Sequence, residues 1–200
     1  MKKLILILGL ILCPLFSFTM QSESIRVQLM EGEFRGGVTI PVEPYKHGRL
    51  SLSYAFAFEW RLNFRGSPWD CGLMAGVTTA SRHYETHLNG GILTQHFQNN
   101  RTWILAATGD YNFGQGKRIN PFVGTAMGFG YNKTTNRWIY PSEGSTLVFI
   151  PRGGVEIARF LRIMGEFNLS RRAYNNFSLT LGLVVGGRPK KNKIHSNQTP

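Results

Sequence analysis

Three histidines, His83, His87 and His96, fall in one stretch of the chain, with Glu85 between the first two. A metal site needs imidazoles that converge on one point. The His83-x-x-x-His87 spacing brings two rings together on a helix but leaves them apart on an extended strand end. They are read here as solvated loop histidines. Ser81-Arg82-His83 with Glu85 invites a hydrolase reading, but a nucleophile, its base and the orienting group must meet within hydrogen-bond reach. Neighbours on a strand alternate faces, so this cluster is badly arranged for it. No catalytic, cofactor-binding or metal-ligating set is expected, and no cofactor.

The other residues that could do chemistry are charges. The acids Glu31, Glu33, Glu59, Asp70, Asp110, Glu156 and Glu166 and the bases Arg35, Arg61, Arg82, Arg152 and Arg162 are spread over 135 positions, from Glu31 to Glu166, yet share one local setting. Each lies in the small or polar half of a segment whose other half is large and apolar. From Leu50 to Phe64 one parity reads Leu50, Leu52, Tyr54, Phe56, Phe58, Trp60, Leu62, Phe64, and the other Ser51, Ser53, Ala55, Ala57, Glu59, Arg61, Asn63. Period two is the mark of a β-strand with unlike faces. Fifteen residues far exceed the usual five or six of a globular strand and suffice for a tilted strand that crosses a bilayer, which needs about 9–11.

Seven further segments repeat the pattern. Met30, Phe34, Val38 and Ile40 oppose Glu31, Glu33, Arg35 and Thr39. Trp69 to Val77 on odd positions oppose Asp70, Gly72, Met74, Gly76 and Thr78. Trp103, Leu105, Ala107, Tyr111 and Phe113 oppose Ala106, Thr108, Asp110 and Asn112; Val123 to Tyr131 on odd positions oppose Gly124, Ala126, Gly128 and Gly130. Leu147, Phe149, Val155 and Ile157 oppose Arg152, Gly154 and Glu156, with an irregularity expected at Pro151-Arg152-Gly153. Leu161, Ile163, Phe167 and Leu169 oppose Arg162, Glu166, Asn168 and Ser170. Phe177 to Val185 on odd positions oppose Ser178, Thr180, Gly182 and Gly186. Short links (65–68, 114–120, 159–160) alternate with longer ones, two of them expected as loops at 85–100 and 132–145; the link near 174–176 is the brief exception.

The expected fold is all-β, an eight-stranded antiparallel up-and-down transmembrane barrel over 25–187. Closure removes the sheet edges that could not survive in lipid. Eight strands enclose a lumen just wide enough for side chains, so the charges are expected to pair inside it as a nearly balanced ladder. Glycines such as Gly124–Gly130 leave room for a narrow channel, which paired charges would obstruct. Trp60, Phe64, Trp69, Trp103, Phe113, Phe122 and Tyr131 fall where interfacial girdles belong. The architectural rival, a soluble lipocalin-like binder, would put the bulky half inside. Its water-facing surface would then be Gly, Ala and Ser rather than Lys and Glu.

Charged residues make up only 17% of the chain, glycine (23) and phenylalanine (14) are plentiful, and helical bundles, coiled coils and disorder are excluded. Half of the +12 formal charge lies at the ends, in Lys2, Lys3, Arg188, Lys190, Lys191 and Lys193, so nucleic acid is not an expected partner. Lys2-Lys3 before the apolar run 4–12 reads as a signal peptide, 1–22, cleaved at about 20–24. Leu12 before Cys13 argues against a lipidated cysteine, and Cys71 then stands alone in the mature chain. The basic tail 188–200 reads as a solvated periplasmic terminus or a contact for anionic headgroups. Arg137-Trp138-Ile139-Tyr140-Pro141 suits either an adhesive loop or packing on a barrel rim.

The alternating Leu50–Phe64 strand, the hairpin Tyr111-Asn112-Phe113…Asn120-Pro121-Phe122-Val123-Gly124 and the final Phe177–Gly187 segment together resemble the small eight-stranded outer-membrane barrels of the OmpA/OmpX kind, especially the barrel-domain proteins of Bacteroidetes. That family ends on a strand with a terminal aromatic, whereas this chain runs past Val185-Gly186-Gly187 into the basic tail. The resemblance implies a monomeric, non-enzymatic barrel with an envelope-integrity role. Its partners would be the lipid bilayer and lipopolysaccharide, the outer-membrane assembly machinery, and an external ligand at the loops. A lipid- or lipopolysaccharide-modifying hydrolase and a narrow channel are the alternatives.

Overall fold

A computed structural model of the chain describes residues 29–42, 48–64, 67–87, 93–136, 143–170 and 174–186, without the side chains of 48–50, 82–87, 93–97 and 136. The expected signal peptide, the basic tail, the 137–141 loop and the side chains of Arg82, His83, His87 and His96 lie outside the described residues.

The alternating segments form strands β1 (Met30–Pro41), β2 (Gly48–Leu50), β3 (Ser53–Asn63), β4 (Trp69–His87), β5 (Leu93–Asn112), β6 (Ile119–Asn136), β7 (Glu143–Ile157), β8 (Leu161–Asn168) and β9 (Asn176–Val185). Each pairs antiparallel with its neighbour, and β1 pairs with both β3 and β9, so the sheet closes on itself. β2 and β3 lie along the same partner, β4, and form one stave. Between the pairs Leu50↔Arg82 and Ala55↔Thr78 that stave carries one more residue than β4, a bulge. The Thr79 hydroxyl fills it, accepting from Tyr54 N at 3.0 Å and donating to Tyr54 O at 2.9 Å. The barrel therefore has eight staves.

Side-chain parity decides what each face meets. Tyr54, Phe56 and Leu181 are 41%, 48% and 54% exposed on the outside, while Glu59 and Arg61 are buried inside. The bulky halves of β1, β3, β5, β6 and β9 all face outward. A water-soluble carrier would need the reverse, so the lipocalin-like arrangement is excluded. A continuous apolar outer wall of this size is stable against hydrocarbon rather than water.

The loop and girdle expectations need correction, and the irregularity expected at 151–153 is present on one edge of its strand only. The segments 85–100 and 132–145 are mostly strand: β4 and β5 stay paired from Ser81↔Asn99 out to His87↔Leu93, and β6 continues to Asn136. Polar residues dominate both segments, so neither shows a sustained alternation of large apolar and small residues. At Pro151 the face alternation runs on without a break, Thr125↔Pro151 holding on the β6 side. Only the β8 side is interrupted, between Arg152↔Glu166 and the isolated bridge Phe149↔Leu169, where proline has no N–H to donate. Phe122 is treated with the lumen below.

Candidate functional site

Among the described residues the sequence-predicted charges meet in the lumen, in the half nearer the short turns. Glu31, Glu33 and Arg35 come from successive inward positions of β1, Glu59 and Arg61 from β3, Asp70 from β4, Asp110 from β5, Arg152 and Glu156 from β7, and Arg162 and Glu166 from β8; all are buried. Strands β3 and β7 stand on opposite sides of the ring. Even so, Arg152 reaches across it, donating from Nη1 and Nη2 to Glu59 at 2.5 and 2.6 Å and from Nε and Nη2 to Asp110 at 2.8 and 2.9 Å.

Two carboxylates act as hubs. Glu59 also accepts from Arg35 Nη1 at 2.7 Å and Thr108 Oγ1 at 3.0 Å; Asp110 also accepts from Arg162 Nη2 at 2.6 Å. Arg35 continues to Glu166 at 2.8 Å and Arg162 to Glu33 at 3.0 Å. Arg61 sits more loosely, its Nη2 3.3, 3.6 and 3.8 Å from Glu31, Glu33 and Glu156. The described lumen holds seven acids and four arginines; the side chain of Arg82, the fifth base of the expected ladder, lies outside the described residues. In a water-poor interior such a network stands because most of its charges have hydrogen-bonded partners; Arg61 is the exception, its Nε and Nη2 buried without a hydrogen bond.

Other residues complete the filling on both sides of this tier. Towards the short turns, Asn112 donates to Asp70 at 2.6 Å, Asn120 to Asn112 at 2.9 Å and Gln115 to Asn63 at 3.1 Å. Along β4 to β7 an apolar patch of Met74, Ile104, Ala106, Ala126, Val148 and Ile150 packs inside the barrel. Beyond it lies a second polar tier, where Thr102 donates to Asn132 at 2.8 Å and Thr134 to Asn100 at 2.9 Å; Thr134 also meets the Tyr174 hydroxyl at 2.5 Å. Sequence reasoning placed Met74, Ala106 and Ala126 of this patch on the inward half and left out Ile104, Val148 and Ile150, because that half was characterised as small or polar. The inward parity of Val148 and Ile150 was there to be extended from Arg152.

The inward glycines do not open a channel. A Cβ on Gly124 would collide with the Asp110 carboxylate, and one on Gly182 would lie 2.5 Å from Glu33 Oε1. They give the long charged side chains room to cross. Phe122, expected in the girdle, is instead buried in the lumen, with the Arg162 guanidinium 3.5 Å from its ring centroid. It shares the parity of Gly124 and Ala126; its position at a strand end was misleading.

The remaining girdle aromatics do face outward. Trp60, Phe64, Trp69, Trp103 and Tyr131 are exposed and Phe113 is half-buried. At the short-turn end, Trp69, Tyr111 and Phe113 form an edge-to-face chain with 5.1 Å between successive centroids. Trp103 and Tyr131 are directly paired nearer the other end. The backbone at 83–87 is extended, which separates the Cα atoms of His83 and His87 by roughly 13 Å. Among the described residues no three His, Cys, Asp or Glu side chains are placed to hold a metal ion, and Cys71 is a free thiol.

No family model matches the chain, and no curated protein does. Among solved structures, the chain is similar to the outer membrane protein OprG of Pseudomonas aeruginosa (10% identity, TM-score 0.49, 82% of this chain and 100% of that one). It is similar also to Neisserial surface protein A (8%, 0.48, 80% and 98%) and to the N-terminal β-barrel domain of OprF from Pseudomonas aeruginosa (10%, 0.45, 80% and 100%).

Proposed function

We propose that the chain is exported through its leader and resides in an outer membrane as an integral, non-enzymatic barrel. Its lumen is a structural brace, and its role lies in the mechanical and permeability integrity of the envelope, with the long-link end offered to an external partner. The observation that carries this reading is the pairing of two opposite features in one wall. Large apolar side chains cover the outside, and Arg152 spans the inside from β7 to Glu59 on β3. A cylinder braced across its own diameter transmits no solute, and one clothed in phenylalanine and leucine is anchored by lipid alone.

The test has two arms. In cells, the protein should stay with the membrane pellet after carbonate extraction and sediment with outer-membrane density. In planar bilayers, pure protein should give no discrete conductance steps. Sustained ion conductance would overturn the brace, and recovery in the soluble fraction would overturn the membrane assignment.

A further inference from the structure

Charge is sorted by face at the short-turn end of the barrel. The three short links read Arg65-Gly66-Ser67-Pro68, Gly114-Gln115-Gly116-Lys117-Arg118 and Ala158-Arg159-Phe160, with four cations and no acid. The carboxylates nearest this end, Glu31, Asp70 and Glu156, all turn into the lumen and are buried. Lys117 and Arg118 are exposed on the rim, and Arg159 is half-buried there. Among the described residues, the outer surface at this end therefore carries positive charge alone.

The fold brings two of these cations together. The β6–β7 ladder ends on Ile119↔Ile157, and one step further Ala158 N donates to Arg118 O at 2.6 Å. That bond sets Arg118 beside the turn that carries Arg159. Among the described residues no carboxylate meets either guanidinium, and Arg159 Nε is buried without a hydrogen bond. Ala158 and Arg159 hold left-handed φ of 53° and 65°, where Asn-Gly would be relaxed. A strained residue whose side chain has no partner inside the fold points to a role outside it.

The occupant must match what surrounds the pair. Ile119 and Phe160, next in sequence to Arg118 and Arg159, are 61% and 46% exposed. Trp69, Tyr111 and Phe113 stack edge to face at the same end. Aromatic rings mark the lipid interface, and cations just beyond them mark the headgroup level. A free anion would leave the apolar neighbours in water. A zwitterionic headgroup would bring an ammonium that finds no acid on this rim. We propose that Arg118 and Arg159, with Lys117 beside them, hold the phosphate of a net-anionic glycerophospholipid in the leaflet on the short-turn side. The site rests on the membrane reading above, which sets the outer wall in lipid.

The experiment uses the full chain folded in detergent and then in nanodiscs of mixed phosphatidylglycerol and phosphatidylethanolamine. Lipid that stays bound is read by native mass spectrometry, with inorganic phosphate added in a parallel arm. Phosphatidylglycerol should be retained over phosphatidylethanolamine, and inorganic phosphate should not displace it. R118Q and R159Q should each weaken that preference about five-fold, the effect of one basic residue near a charged surface. K117Q reads the same rim if either arginine variant does not fold. K133Q, the same charge change at the opposite rim, should leave the preference unchanged. Equal retention of the two lipids, displacement by phosphate, or a K133Q effect as large as that of R118Q would each overturn the site. A chain that never enters nanodiscs fails the membrane reading first; one that inserts without lipid preference fails this site alone.

Discussion

Arg152 and Glu59 form a two-pronged ion pair, 2.5 and 2.6 Å long, between strands that face each other across the barrel's diameter. It crosses between the same two strands as the looser Arg61–Glu156 contact at 3.8 Å and ties β3, β5 and β7 together through Asp110. Removing one partner leaves buried charge uncompensated. Arg152→Met should therefore cost about 3–5 kcal/mol, measured by urea unfolding in lipid vesicles. Glu59→Gln should cost less, because Arg152 keeps Asp110. A double-mutant cycle should return a coupling of about 0.5–3 kcal/mol. Additive costs would mean the two residues do not communicate.

Phe122 and Arg162 make the same point with an aromatic partner. The ring lies buried under the guanidinium, and a desolvated cation–π contact contributes about 2 kcal/mol. Phe122→Leu keeps the bulk but loses the ring face, so it should destabilise by about 2 kcal/mol. Phe64→Leu, on the lipid side, should change stability by less than about 1 kcal/mol. If both substitutions behave alike in the same unfolding assay, Phe122 is not the lumen residue described here.

Gly124 is the position where added volume has nowhere to go, because its missing Cβ would collide with both the Asp110 carboxylate and the Gly109 carbonyl. Gly124→Ala should destabilise by about 1–3 kcal/mol, the range for overpacking. Gly32→Ala has open space around its would-be Cβ and should be close to neutral. Comparable losses at both positions would show that backbone conformation, not space, governs the glycines.

The β7–β8 turn carries the opposite opportunity. Ala158 and Arg159 have φ of 53° and 65°, two consecutive non-glycine residues in the left-handed region, with Phe160 N bonded to Ile157 O at 3.3 Å. A two-residue hairpin turn of this hand favours Asn-Gly or Gly-Gly, and the strain is about 1–2 kcal/mol per residue. Arg159→Gly should therefore stabilise, net of the entropy cost of glycine, by roughly 1 kcal/mol. A loss of stability would argue that the Arg159 side chain has a role of its own.

How much of this was legible in the sequence follows from which signals have a period. The Leu50–Phe64 alternation set the face of every residue from Ser53 to Asn63, and the same parity carried Glu33, Arg35, Asp110 and Arg162 into one interior. Partners did not follow, because parity gives a side and not a register: nothing in the sequence says that Arg152 meets Glu59 ninety-three positions away. Phe122 was misplaced where strand-end position was allowed to override parity. The long strands to His87 and Asn136 escaped notice because their ends are mostly polar in sequence and the apolar period of two is not sustained there. That Ala75 lies between Phe58 and Leu105 was legible only once β3 and β5 were known to flank β4.

Glu143 gives a pH signature outside the bilayer. The Tyr131 hydroxyl donates to it at 2.5 Å and the Lys133 ammonium at 2.9 Å, and these hydrogen bonds hold its carboxyl below the usual carboxylate range. A lowered folded pKa means the contact is fully present above the ordinary glutamate value and is lost as pH falls through the depressed one. The Lys133 ammonium is shifted upward by the same bond to Glu143, so on the alkaline side the pair holds past the ordinary lysine value. Site-resolved NMR of the folded barrel should find Glu143 titrating below a free glutamate, with Lys133→Gln and Tyr131→Phe each moving it back up. Both groups are exposed to solvent, so salt should weaken the shift. A Glu143 that titrates like a free glutamate at low salt would show that the rim cluster with Tyr131 and Lys133 is not formed.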